Sequence, residues 1–242
     1  MKLSIVISIY NSHLALERQI KYFSKMNLSD EVEFIFVDDG SQPPLTGHMK
    51  NLSIYETHNN LAWTQGLGRN LGAAKAKGEY LFMTDLDHII SREAIEVALK
   101  FTGEKMVFRR KIGVLLENGT LTQDREILKE YGYEKEDLDA SVHGNTFVLK
   151  KTIFDALGGY EPRRSLLGYH PVHRKTEDCY FLEKWKKYAK KNNILQVMGP
   201  DIYIFPIGQF HKTRDLNPMG LFHNLSQEKQ SKFYKNEQYQ TK

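Results

Sequence analysis

Two aspartates, Asp85 and Asp87, stand two residues apart at the end of the apolar run Tyr80-Leu81-Phe82-Met83-Thr84. Such a run reads as a buried strand that delivers both carboxylates to one sheet edge. Carboxylates that close repel unless a cation sits between them. A hard divalent ion such as Mg2+ or Mn2+, itself holding phosphate oxygens, is the natural occupant. Alone, an Asp-x-Asp step is more often a solvated turn. Here two further acidic pairs lie at element ends. Asp38-Asp39 closes the run Val32 to Val37 ahead of Gly40-Ser41, and Glu177-Asp178 opens a strongly helical stretch.

The elements that must position these pairs alternate in type. Leu3 to Tyr10 is rich in β-branched residues and apolar on both faces, which suits a parallel strand covered on both sides. Leu14 to Met26 has helical periodicity, with Leu16, Ile20 and Phe23 on one face. Strands are expected at Val32 to Val37, Ser53 to Thr57 and Glu79 to Thr84, with a helix over Trp63 to Ala76. Ser91 is placed to cap the next helix. A strand at Met106 to Phe108 leads into the basic cluster Arg109-Arg110-Lys111. Residues 113 to 141 are polar and weakly patterned, and read as an insertion with a short helix. A strand at Asn145 to Leu149, a helix at Lys151 to Leu157, a long helix at Glu177 to Asn192 and late strands at Ile194 to Met198 and Tyr203 to Phe205 complete the pattern. Strands alternating with helices predict an α/β sheet with ligands at the carboxyl ends of its strands.

The 242 residues carry a formal charge of +4, 40% hydrophobic and 12% aromatic residues, which excludes a disordered chain and tolerates an anionic ligand. Cys179 is the single cysteine, so no internal disulfide can form, and a cytoplasmic setting is expected. Acidic neighbours disfavour a thiolate there, and we read Cys179 as packing. No apolar run reaches the length of a membrane span and no signal peptide is expected, so membrane contact would be peripheral. The run Glu183 to Lys191 is a basic helix with two aromatics, which reads first as a solvated face and second as a contact for anionic lipid or nucleic acid.

Five segments in order resemble family 2 glycosyltransferases of the GT-A fold. They are Ser4 to Asn11, Phe36 to Ser41, Gly68-Arg69-Asn70-Leu71-Gly72, Asp85-Leu86-Asp87, and Gly158-Gly159-Tyr160-Glu161 with Glu177-Asp178. The resemblance implies a GT-A (Rossmann-like), mostly parallel α/β sheet flanked by helices, with a small C-terminal acceptor-side region. One domain over 1–223 would divide into a nucleotide-sugar half (1–108) and an acceptor half (109–223), followed by a polar tail or helix at 224–242. It also implies a UDP-sugar donor and Mn2+ or Mg2+. Asp38 and Asp39 would accept the imide N–H of uracil, Tyr10 would stack on the base, and Ser8 would line the donor site. Arg69 would approach the uridine or diphosphate, the alternative being a structural ion pair, and Asn70 would hold its loop. Asp87 would ligate the metal directly, while Asp85 would touch the ribose or reach the metal through water. His88 reads as a supporting or packing residue. His211, with His223 as runner-up, would complete the metal site. Asp178 would be the general base for an inverting displacement, with Glu177 beside it. The approach to this pair, Leu167 to Thr176, departs from the family's Gly/Trp-rich form and carries extra basic residues.

The acceptor would be a glycan hydroxyl or, in a second reading, a hydroxymethylated base in phage DNA. A non-catalytic nucleotide-sugar-binding relative is a reading of another class, and the complete Asp85/Asp87 and Glu177-Asp178 pairs speak against it. A nucleotidyltransferase is weaker still, since no Gly-rich phosphate loop is present.

Overall fold

The protein is described here from a computed structural model, over residues 1–58, 64–134, 136–161 and 177–205. Leu3–Ile9 (β1) and Val32–Asp38 (β2) are buried along their whole length, as the two-sided apolar pattern requires. They pair in parallel with each other, and β1 also pairs in parallel with Tyr80–Thr84 (β4). Leu52–Glu56 (β3) adds to β2. The full sheet has seven strands in the order β12-β6-β11-β4-β1-β2-β3. Here β6 is Lys105–Val107, β11 is Phe147–Lys150 and β12 is Val197–Met198. Only β11 runs antiparallel to its neighbours.

Strand order runs outward from β1 to β3 and then restarts on the other side of β1 with β4. That reversal opens a crevice at the carboxyl ends of β1 and β4, where open α/β sheets bind ligands. Alternate residues of each strand feed two cores. Ile5, Ile7, Phe34, Phe36 and Phe82 pack beneath the helices His13–Ser24 (α1) and Arg92–Lys100 (α3). Val6, Ile35, Val37, Leu81 and Met83 pack beneath Gln65–Lys75 (α2), Lys151–Ala156 (α5) and Glu177–Lys191 (α6). Ser91 caps α3 as expected, accepting from the Ala94 N–H at 3.1 Å.

Glycines let α2 lie close on the sheet. A Cβ at Gly68 would fall 2.3 Å from Ser8 Oγ, and one at Gly72 would fall 2.4 Å from a Val6 methyl. Ser8, expected on the donor, is therefore buried beneath α2.

Residues 113 to 141 hold more structure than their polarity foretold. A hairpin of Val114–Leu115 (β8) and Leu121–Thr122 (β9) precedes Arg125–Glu130 (α4), which Asp124 caps. Val114, Leu115 and Leu128 join Ile89 and Phe205 in a third core. Strands of two residues are too short to show a period. A second sheet, of order β10-β7-β13-β5, joins Asp139–Ala140, Arg110–Ile112, Ile202–Ile204 and His88–Ile89.

Candidate active site

Asp85 follows directly on β4, at the reversal of strand order. One of its oxygens, Oδ1, accepts from Gln65 Nε2 at 3.0 Å and pairs with the Arg69 guanidinium. Arg69 is fully buried. Its guanidinium carbon lies 5.2 Å from the centre of the Tyr160 ring. Burial alone would lower its proton affinity, but Tyr160, Asp85, Glu177 and Asp178 together hold it above its ordinary value. Of the two readings of Arg69, the structure shows the ion pair. Burial works against the Asp85 anion, yet Arg69, with His88, His143 and Arg110 adding to it, keeps that carboxyl below the usual range.

Asn70 holds its loop by a two-point clamp. Its Nδ2 donates to the Tyr160 carbonyl and its Oδ1 accepts from the Tyr160 N–H, both at 2.8 Å. The preceding Gly158 and Gly159 have φ of 70° and 58°, in the left-handed region that favours glycine. Glu177, buried at the start of α6, accepts from the Gly66 N–H in the first turn of α2. An acidic group at a helix N-terminus is favourable, and here it fastens α6 to α2. Asp178 is half-buried beside it, with Oδ1 accepting from the Cys179 N–H at 2.9 Å.

The Asp38-Asp39 pair divides. Asp38, expected at the base, spends both oxygens on its own loop: Oδ1 accepts from the Ser41 N–H and Oδ2 from the Leu45 N–H, each at 2.8 Å. It shapes the loop instead. Asp39 accepts from the hydroxyls of Thr64, at 2.7 Å on Oδ2, and Thr57, at 3.1 Å on Oδ1. Tyr10 is half-buried at the end of β1, and burial, with Asp39 adding to it, raises its phenol above the ordinary value. Loss of the Asp38 staple by Asp38→Ala is expected to cost roughly 2–4 kcal/mol, because two buried N–H groups lose their acceptor. The melting temperature should fall by about 5–15 °C, and an unchanged melting curve would contradict the staple.

Asp87 was expected at an exposed edge and is instead 14% exposed. Burial, then the neighbouring Asp85, pushes its carboxyl up to about 7. Its carbonyl accepts from the Phe205 N–H at 2.7 Å. Around this pair stand His88, His143 and Arg110. His143 Nδ1 lies 3.4 Å from Asp85 Oδ2. Ligand atoms of Asp85, His88 and His143 all fall within 4.8 Å of one another. Both His88 nitrogens are engaged, with Nδ1 2.5 Å from Thr146 Oγ1 and Nε2 3.2 Å from Arg110 Nη1. An arginine can only donate, so Nε2 accepts and Nδ1 carries the proton. Burial lowers the His88 pKa to about 4. His88 is thus neutral, and it stands among the groups whose ligand atoms come together here. His211 and His223, and the loop Leu167 to Thr176, lie outside the described residues.

A model of the family described as "Glycosyltransferase like family 2" matches residues 4–198. The chain belongs to that family. An uncharacterized glycosyltransferase of Haemophilus influenzae is 31% identical over 105 residues, and the glycosyltransferase GlyG of Streptococcus pneumoniae serotype 4 is 28% identical over 109. These matches cover 41% and 43% of this chain but only 41% and 36% of the relatives' own lengths. Among solved structures, S. aureus TarS 1-349 in complex with UDP-GlcNAc superposes with a TM-score of 0.57 at 18% identity, over 88% of this chain and 61% of that one. The mannosyltransferase PcManGT from Pyrobaculum calidifontis, in complex with GDP-Man and Mn2+, gives 0.50 at 14%, over 84% and 56%. At such identities the likeness establishes the fold, which is of the GT-A type.

In this member of the family, sequence reasoning passed over His143, Arg110 and Gln65. A signal for the first existed. The antiparallel register sets Phe147 opposite Met83, and carrying it two steps on sets Asn145 opposite Asp85, with His143 two residues further. Reading the strand at Asn145 to Leu149 as antiparallel would have brought His143 to the site. Arg110 arrives from the second sheet, whose strands of two or three residues gave no such warning.

Proposed function

We propose that this protein moves a sugar from a UDP-sugar to an acceptor hydroxyl in one inverting displacement. The observation that carries this reading is one buried cation set between two acidic sites: Arg69 pairs with Asp85 at the end of β4 and feels the charges of Glu177 and Asp178 at the start of α6. A group fit to hold a diphosphate and a group fit to take a proton thus share one crevice. The TarS complex with UDP-GlcNAc and the PcManGT complex with GDP-Man and Mn2+ support a nucleotide-sugar donor.

In this reading Asp39 and Tyr10 receive the uracil, with Asp38 holding the loop beside them through the Ser41 and Leu45 N–H groups. Asp178 accepts the hydroxyl proton as the acceptor oxygen bonds to the anomeric carbon. The bond from that carbon to the diphosphate breaks, and its electron pair leaves on the phosphate oxygen. Arg69 holds Asp85 ionised and fixed. The residues fit a divalent ion: ligand atoms of Asp85, His88 and His143 lie within 4.8 Å of one another, and burial and the Asp85 charge leave the nearby Asp87 carboxylate poorly offset. Asp85, Asp87 and His143 would hold the ion, and mixed carboxylate and imidazole donors suit Mn2+ better than Mg2+. Bound there, it would neutralise the leaving diphosphate.

Thermal melts with UDP, GDP and ADP at equal concentration test the donor. UDP should raise the melting temperature most, and Asp39→Ala should abolish the difference. Equal shifts for all three nucleotides would remove the uridine reading. Release of nucleotide from a panel of nucleotide sugars with Mn2+, with and without glycan acceptors, tests the transfer itself.

A further inference from the structure

We infer that the end of α6 and the segment after it form a docking surface for an anionic membrane. From Lys184 to Met198 the chain carries five lysines and no acidic residue. Lys184 turns inward, its Nζ donating to the carbonyls of Leu157 and Gly159. The other four, Lys186, Lys187, Lys190 and Lys191, are exposed. At about 100° per residue they cover one face of the helix, opposite the face buried by Phe181 and Trp185.

The helix stops at Asn193, whose φ of 52° is left-handed, with the Ile194 N–H returning to the Ala189 carbonyl at 2.9 Å. This stop turns the next residues out beside the last lysines. Leu195 is 84% exposed, Met198 49% and Val197 43%. Of the six large hydrophobic residues exposed among the described residues, three fall within these four positions. The fold does not account for them. β12 lies at the sheet edge and pairs only with β6, and Leu195 lies before the strand begins.

An apolar tip inside a collar of lysines matches the headgroup region of an anionic bilayer. The tip gains by leaving water, and the lysines by nearing the lipid phosphates while their stems lie along the apolar boundary. Charge decides for this occupant over a second copy of the chain, because two such collars would repel. The surface is also remote from the chemistry: Lys191 lies fourteen residues along α6 from Glu177, about 21 Å of helix. The inference therefore does not rest on the sugar-transfer reading.

Co-sedimentation with vesicles tests it. The full chain should sediment with vesicles of phosphatidylcholine and phosphatidylglycerol and remain in solution with phosphatidylcholine alone. Leu195→Glu, and separately the pair Lys187→Glu and Lys190→Glu, should each weaken vesicle binding by at least about tenfold, each lysine near such a surface being worth roughly fivefold. Both variants should keep the parental melting temperature and UDP response, which shows that they are folded. Several results would overturn the proposal: no sedimentation, equal sedimentation with both vesicle types, or variants that bind like the parent. So would a parent dimer that Leu195→Glu makes monomeric, or lysine-dependent binding to a DNA duplex without binding to vesicles.

Discussion

Asp178→Asn protein should bind a UDP-sugar as the parent does and transfer almost nothing. Asparagine keeps the size of the side chain and an oxygen for the Cys179 N–H, so the start of α6 stays in place. What it lacks is a basic site for the acceptor proton. Losing a general base typically lowers the rate by about 10²–10⁴-fold, and a group that acts only in the transition state leaves donor affinity intact. Single-turnover transfer and UDP-sugar titration on the same sample separate the two effects. Transfer at the parental rate would place the base elsewhere. Loss of donor binding would instead make Asp178 part of the donor site. Glu177→Ala should behave differently, because it leaves the Gly66 N–H without the acceptor that fastens α2 to α6. It should lower stability as well as rate.

Asp87→Asn should push two measurements in opposite directions. Without metal, the parent holds a carboxylate out of water beside the Asp85 anion, and neutralising it should stabilise the fold by about 1–2 kcal/mol, raising the melting temperature by roughly 2–8 °C. With Mn2+, the parent should gain stability by mass action and the variant should not. Transfer should fall to background. His143→Ala should weaken Mn2+ more than Mg2+, and the electron paramagnetic resonance of bound Mn2+ should lose its nitrogen coupling. A variant that keeps the full Mn2+ response, or transfer that proceeds fully in EDTA, would remove Asp87 from the metal site.

Much of this arrangement could be read from the chain because its causes are local. The apolar runs of β1, β2 and β4 needed two covered faces. Ser91 announced α3, and each acidic pair stood at the end of an element. What escaped was set by partners distant in sequence. Nothing near Asp38 says that Ser41 and Leu45 would consume its oxygens, because loop geometry decides that. Nothing near Ser8 says that Gly68 would let α2 settle over it. His143 stood in a segment whose strands are too short to show a period, and only the antiparallel register of β11 carries it to Asp85.

The bond between Glu177 and Gly66 joins residues 111 apart. Closing so long a loop carries an entropic cost that local pairing avoids. The neighbouring parallel strands β1, β2 and β3 can assemble without it, but Asp178 comes to the site only when that distant segment docks. On the proposed mechanism, catalytic competence waits on that long-range docking, and a nascent chain with its first four strands in place would hold the proposed nucleotide site and no proton acceptor.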